Sequence, residues 1–172
     1  MLVVMNVQME NQLVAAEAAA YHMIQQHTLG FAQVIQRDMQ NLSTIVDIEE
    51  DGNSFEFVAQ TSTTDTTKRT VEYRRVYKGA KDDHGVSTPL YQIERYVNGA
   101  IDGSSYDALS YWKIAAQNED GNAATDPSDV SQIQVEFVAT TPANMRISER
   151  IEIQDTRWDS TFRPMMLRDL LL

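Results

Sequence analysis

From Leu2 to about Leu42 the larger side chains recur at helical spacing: Met5, Met9, Leu13, Ala16, Ala20, Met23 or Ile24, His27, Phe31, Val34 and Leu42. Mostly polar or small residues fill the intervals. That spacing places one continuous stripe on one face of an α-helix. The segment holds no proline and one glycine, Gly30, and is dominated by good helix formers: alanine, glutamine, methionine, leucine and glutamate. Around forty residues at a rise of ~1.5 Å give roughly 60 Å of helix. An average helix has only ~11 residues. A rod of that length outruns what a small domain covers, so its first part is expected to project, to meet a partner or to enter a membrane. Gly30 is expected either to bend the rod or to allow close packing on the rest of the fold.

After Ser43 the period drops from helical to two. A short strand is predicted from Ile45 to Glu49, then a hairpin-type turn at Asp51-Gly52-Asn53. Phe55, Phe57 and Ala59 alternate with Glu56 and Val58, the pattern of a half-buried strand. Thr61 to Thr67 reads as a threonine-rich loop. Val71, Tyr73 and Arg75 alternate in a further strand, and Lys78 to Pro89 reads as a polar connection. Tyr91, Ile93, Arg95 and Val97 alternate next, ended by Asn98-Gly99. Tyr106 to Ala116 fits a strand or a short helix, and Gln117 to Asp129 reads as an acidic loop of small residues. Ile133, Val135, Phe137 and Ala139 mark another strand, and Ile147, Ile151 and Ile153 the last one. Trp158 to Leu172 reads as irregular, with an apolar end at Leu170, Leu171 and Leu172.

One long helix (1–42) followed by a mostly β portion (43–172) predicts an α+β fold of one domain, with the helix packed on one face of an antiparallel sheet. No internal repeat is visible. The length of 172 residues suits one domain, and 42% hydrophobic residues supply a sizeable core. The formal net charge of −11 repels phosphate backbones and anionic lipid headgroups, so a nucleic-acid partner is not expected. The absence of cysteine removes disulfides, thiolate nucleophiles and Cys-type zinc sites. Nothing approaches the ~18 consecutive apolar residues of a membrane span. Met1 to Met5 are all apolar, which fits two readings: the stub of a longer apolar segment, or an ordinary start followed by a short apolar helix end. No secretory signal pattern is present.

Catalytic constellations are scarce. His22 and His27 stand five residues apart, where a helical metal pair prefers four. His27 lies near the apolar stripe and is expected to be a partly buried packing residue, and His84 sits in a solvated loop. No P-loop, G-x-G-x-x-G, G-x-S-x-G or H-E-x-x-H occurs. The chain is therefore expected not to be an enzyme. One loop has ligand chemistry for a hard cation: Asn118, Asp120, Asn122 and Asp126 offer clustered oxygens to calcium, which takes six to eight. An EF-hand does not fit, because Ala116 would fill its first ligand position and Pro127 its last. The plain alternative is a solvated turn with no cofactor.

Several segments carry a family resemblance. They are Ala20-Tyr21-His22-Met23-Ile24 running on through Phe31 to Arg37-Asp38 and Leu42, then Ser54-Phe55-Glu56-Phe57-Val58-Ala59, Val71-Glu72-Tyr73-Arg74, Leu90 to Arg95, and Val130 to Ala139 with Ile133-Gln134-Val135-Glu136-Phe137. Their order resembles minor pseudopilins of type II secretion systems, the J-type subunit above all, and related minor type IV pilins. The likeness covers most of the chain and rests on order and spacing. The family's prepilin-peptidase signature, a glycine, a mature phenylalanine and a glutamate at the fifth mature position, is missing, as is the full apolar anchor.

The resemblance implies a pilin-like fold lacking its N-terminal membrane segment, with Met1 to Met5 as the last turn of that segment. It implies a structural subunit at the tip of a secretion pseudopilus or type IV pilus. Such a subunit resides in the bacterial cell envelope, on its periplasmic or extracellular face, and when full length is anchored in the inner membrane before assembly. Its implied partners are other minor pseudopilins or pilins, and a secreted protein substrate. The stripe and the helix length place the partner-binding face at Met5, Met9, Leu13, Ala16 and Ala20. The runner-up reading is a stand-alone extracellular binding module whose loops carry recognition.

Overall fold

The computed structural model describes residues 2–49, 52–60, 67–83, 85–103, 106–124, 126–141 and 155–164, with side chains described from Met9 onward except that of Asp83. Several expectations lie outside these residues: Asp51 of the turn, most of the threonine loop, His84, the strand at Ile147, Ile151 and Ile153, the apolar end at Leu170 to Leu172, and the side chain of Met5. The helical pattern forms one unbroken helix, α1 (Leu2–Gln40). Strands β1 (Leu42–Ile48), β2 (Ser54–Gln60), β3 (Lys68–Asp83), β4 (Val86–Val97), β5 (Ala100–Ile101), β6 (Tyr106–Gln117), β7 (Gln132–Ala139) and β8 (Thr156–Phe162) follow, with a short 3-10 turn at Pro127–Asp129. The strands make one antiparallel sheet in the order β1-β2-β3-β4-β6-β7-β8, with β5 folded back onto β4. The α+β expectation of a long helix on antiparallel sheet therefore holds.

Among the described side chains, the helix buries one face over its second half only. Ile24, Thr28, Phe31, Ala32, Ile35, Asp38 and Met39 are buried, at helical spacing. They meet the inward residues of the sheet: Phe55, Phe57, Val71, Tyr73, Ile93, Trp112, Val135 and Phe137. Phe31 sits in the middle of an aromatic cluster, stacked on Tyr106 at 5.1 Å and edge-on to Phe137 at 5.4 Å between ring centroids. The strands follow period two as expected. In β7 the residues Ile133, Val135, Phe137 and Ala139 are buried and those between are not. Tyr106 to Ala116, open to two readings, is strand.

Four local expectations are corrected. Helix α1 stops at Gln40, and Leu42 already belongs to β1, where it is fully buried. Lys78 to Pro89 is not a connection: β3 runs on to Asp83 and pairs back along β4, Gly79 facing Leu90 and Asp82 facing Ser87. Its polar composition concealed this because no described residue from 78 to 89 is buried, so that end of the hairpin has no core face to mark. Gly79, at φ +122°, absorbs the register shift there. Trp158 to Phe162 is not irregular but part of the edge strand β8, with Trp158 5.1 Å from the ring of Phe137. Finally, Gly30 does not pack closely. It is exposed on the far side of α1, and a Cβ there would meet nothing within 4 Å.

The turn at Asn98-Gly99 closes the β4–β5 hairpin with φ of +51° and +78°, the pair of positive values a type I′ turn demands. Among the described residues no helix is long and apolar enough to cross a membrane.

Candidate functional site

The predicted partner face lies on the half of α1 that the sheet leaves uncovered. Between Met9 and Met23 no residue is buried. Met9 is 57% exposed and Val14 63%, while Leu13 and Ala20 are half-buried and Ala16 is exposed. Met9, Leu13, Ala16 and Ala20 fall at steps of four, three and four, so they share one stripe. Tyr21 and Leu29 add exposed apolar surface on other faces of the rod. A helix of 39 residues measures about 58 Å. A segment with such apolar exposure gains most by packing against another surface. His27 departs from its expected buried role: it is exposed, although its ring lies edge-on to Tyr106 at 6.1 Å.

At the other end of α1 lies a polar cluster that the sequence reading missed. Asp38 projects from the buried face of the helix into the sheet. It accepts a hydrogen bond from the Tyr73 hydroxyl at 2.6 Å, and the Arg95 guanidinium meets it side-on, Nε at 2.6 Å and Nη2 at 3.0 Å. Arg95 Nη1 also donates to Asp102. Arg95 is only 6% exposed and Asp38 3%. Burial pushes the Tyr73 phenol well above its ordinary value, and the Asp38 charge and hydrogen bond push it the same way against the pull of Arg95. Burial opposes the charge on Arg95, but its hydrogen bond and charge pairing with Asp38 prevail and raise its pKa. Arg95 thus stays charged and the phenol neutral. A signal existed in the sequence: Asp38 falls seven residues after Phe31 on the stripe, and Arg95 shares the inward parity of Ile93. Opposite charges at two core positions announce a buried pair.

The raised phenol pKa sets a pH limit. The folded state keeps Tyr73 neutral at a pH where an unfolded tyrosine ionises, so this contribution is complete below about pH 10 and is lost as pH climbs toward the raised value. Burial raises Tyr106 as well, helped by the Asp107 charge and opposed by the Thr28 hydroxyl. Urea midpoints are expected to fall steeply above about pH 10, and less steeply in Tyr73→Phe. In the ultraviolet tyrosinate spectrum, these two phenols are expected to ionise late, together with unfolding.

The four calcium candidates lie on the connection between β6 and β7, where the Asn118 and Asp126 side chains brace the backbone. Asn118 Oδ1 accepts from the backbone N–H of Asp120 at 3.1 Å and of Asn122 at 2.9 Å, closing a tight turn. Asp126 Oδ1 accepts from Ser128 N–H at 2.8 Å and Ser128 Oγ–H at 2.7 Å, capping the 3-10 turn. The Ser128 hydroxyl and N–H hold the Asp126 carboxyl below its ordinary pKa. Among the described residues, no group of three or more His, Asp or Glu could hold a metal ion.

Two concavities open among the described residues. One of about 830 Å³ lies between the β1–β2 turn and β6, lined by Glu49, Arg75, Tyr111 and Lys113 among others. Gly52, at φ +67°, forms part of its wall, where a Cβ would stand 3.4 Å from the carbonyl of Ile114. The other, about 470 Å³, opens beside the C-terminal turn of α1 over Arg95. No family model matches the chain, and no curated protein matches it.

Proposed function

We propose that the chain is a structural subunit of the minor pseudopilin or minor type IV pilin kind, which assembles with other such subunits through the projecting half of α1. The observation that carries this reading is the uncovered stripe Met9, Leu13, Ala16 and Ala20 on a helix whose second half alone is held by the sheet. Alanine at two of the four positions lets a neighbouring helix approach closely, and methionine and leucine adapt to it. The work of such a subunit is positional, so the reading assigns no catalytic residue and no cofactor. A calcium-dependent rise in melting temperature would add a ligand role for Asn118, Asp120, Asn122 and Asp126. In this proposal the subunit belongs to the bacterial cell envelope, facing the periplasm or the exterior. Its membrane contact would run through the N-terminal apolar segment typical of such subunits, and a secreted protein is a further partner.

The test separates folding from association. Met9→Glu and Leu13→Glu are expected to leave the melting temperature within about 2 °C of the parent, because neither side chain belongs to the core. Association with partner pilin-like helices, read by pull-down and by analytical ultracentrifugation, is expected to weaken at least about tenfold, since each change places a charge in an apolar seam. Undiminished association in both variants would sink the assignment of this face.

A further inference from the structure

We propose that the cleft beside the C-terminal turn of α1 is an oxyanion site, taking a carboxylate or a phosphate on Arg95 with Arg37 and Arg69 closing over it. Arg95 forms the floor. A guanidinium has five N–H groups, and three of these are engaged, by the two Asp38 oxygens and by Asp102. One N–H on each Nη is left over, and Arg95 lines the cleft of about 470 Å³. A buried cation already fixed in orientation, with donors to spare, is pre-organised for a planar or tetrahedral oxyanion.

The walls add charge of the same sign. Arg37 lines the cleft and is largely exposed, its nearest carboxylate oxygen being Asp38 Oδ1 at 3.7 Å. Arg69 also lines it and makes no ion pair among the described residues. Asn41 also lines it. Three guanidiniums thus face two carboxylates, on a chain whose formal net charge is −11. The local excess of positive charge runs against the sign of the whole molecule, which is what selects anions into this one concavity. Asp102, on the segment after β5, already bonds Arg95 and is itself about one-third exposed. It competes with an incoming anion for the outer edge of the guanidinium.

The 172-residue chain is titrated with sodium phosphate and, separately, with sodium succinate, at constant ionic strength balanced by chloride, and followed by amide NMR. Saturable shifts are expected at Arg37, Asn41 and Arg69, with a dissociation constant in the millimolar range. Arg37→Gln and Arg69→Gln are each expected to weaken binding about threefold or more, and Asp102→Asn to tighten it. Both arginines sit at the rim, so these variants keep the fold, checked by an unchanged melt. Saturation by succinate alone makes the site a carboxylate site; saturation by phosphate alone makes it a phosphate site. No saturable shift with either anion overturns the proposal, and so does undiminished binding in the Arg37→Gln/Arg69→Gln double variant.

Discussion

Asp38→Ala is expected to destabilise the protein by about 3–5 kcal/mol, because it leaves a guanidinium and a phenol inside the fold without their shared acceptor. The loss should appear as a lower urea midpoint with an unchanged slope. Arg95 would keep Asp102, but its side-on donors would face no acceptor, and the Tyr73 hydroxyl none. Two controls separate charge from packing. In a double-mutant cycle with Arg95→Ala, the coupling energy is expected to be large and favourable, because the two groups contact each other directly. Replacing Asp38, Arg95 and Tyr73 together by Leu, Met and Phe is expected to recover much of the loss, since it leaves no polar group stranded. A single variant Asp38→Ala as stable as the parent would show that the cluster does not anchor the helix.

Phe31→Ala is the second large effect, at about 3–5 kcal/mol, which in a chain of this size corresponds to a fall in Tm on the order of 10 °C. The ring is 4% exposed and touches Tyr73, Tyr106, Trp112 and Phe137, residues on three strands. Removing it opens a cavity where the helix meets the sheet, walled by rigid rings that collapse poorly. Leu29→Ala, two residues away on the exposed side, is the matched control and is expected to change stability by less than about 0.5 kcal/mol. Calorimetric melts of both variants decide the matter. A small shift for Phe31→Ala would mean that the helix is not held by this cluster.

These two residues also show what was legible in the amino-acid order. Phe31 announces itself by period, and so do Phe55, Phe57, Tyr73, Ile133 and Val135, because burial on one face imposes alternation. The helix, the sheet and the uncovered first half of the rod followed from that signal. Periodicity fails where one side of an element faces solvent on both surfaces or carries no apolar contrast. The outer half of the β3–β4 hairpin is such a case, and so is β8, whose sequence Thr-Arg-Trp-Asp-Ser-Thr-Phe offers just two large apolar residues. The buried pair was obscured for the opposite reason. Asp38 and Arg95 occupy core positions, yet each by itself reads as a surface charge, and only the folded register brings them together. His27 misled because proximity to an apolar stripe is not membership of it.

The helix that opens the chain lies against the strand described last. Contacts between α1 and β8 join residues separated by well over a hundred positions in sequence. Neighbouring strands elsewhere pair mainly with their successors, so most of the sheet can zip locally during synthesis. The contact of α1 with β8 waits until Thr156 to Phe162 has emerged from the ribosome. Closing so long a loop costs entropy that grows only slowly with its length, but it sets an order of events. A nascent chain stalled before β8 would carry an adhesive rod with an unfinished cradle, a form that holdase chaperones are suited to shield.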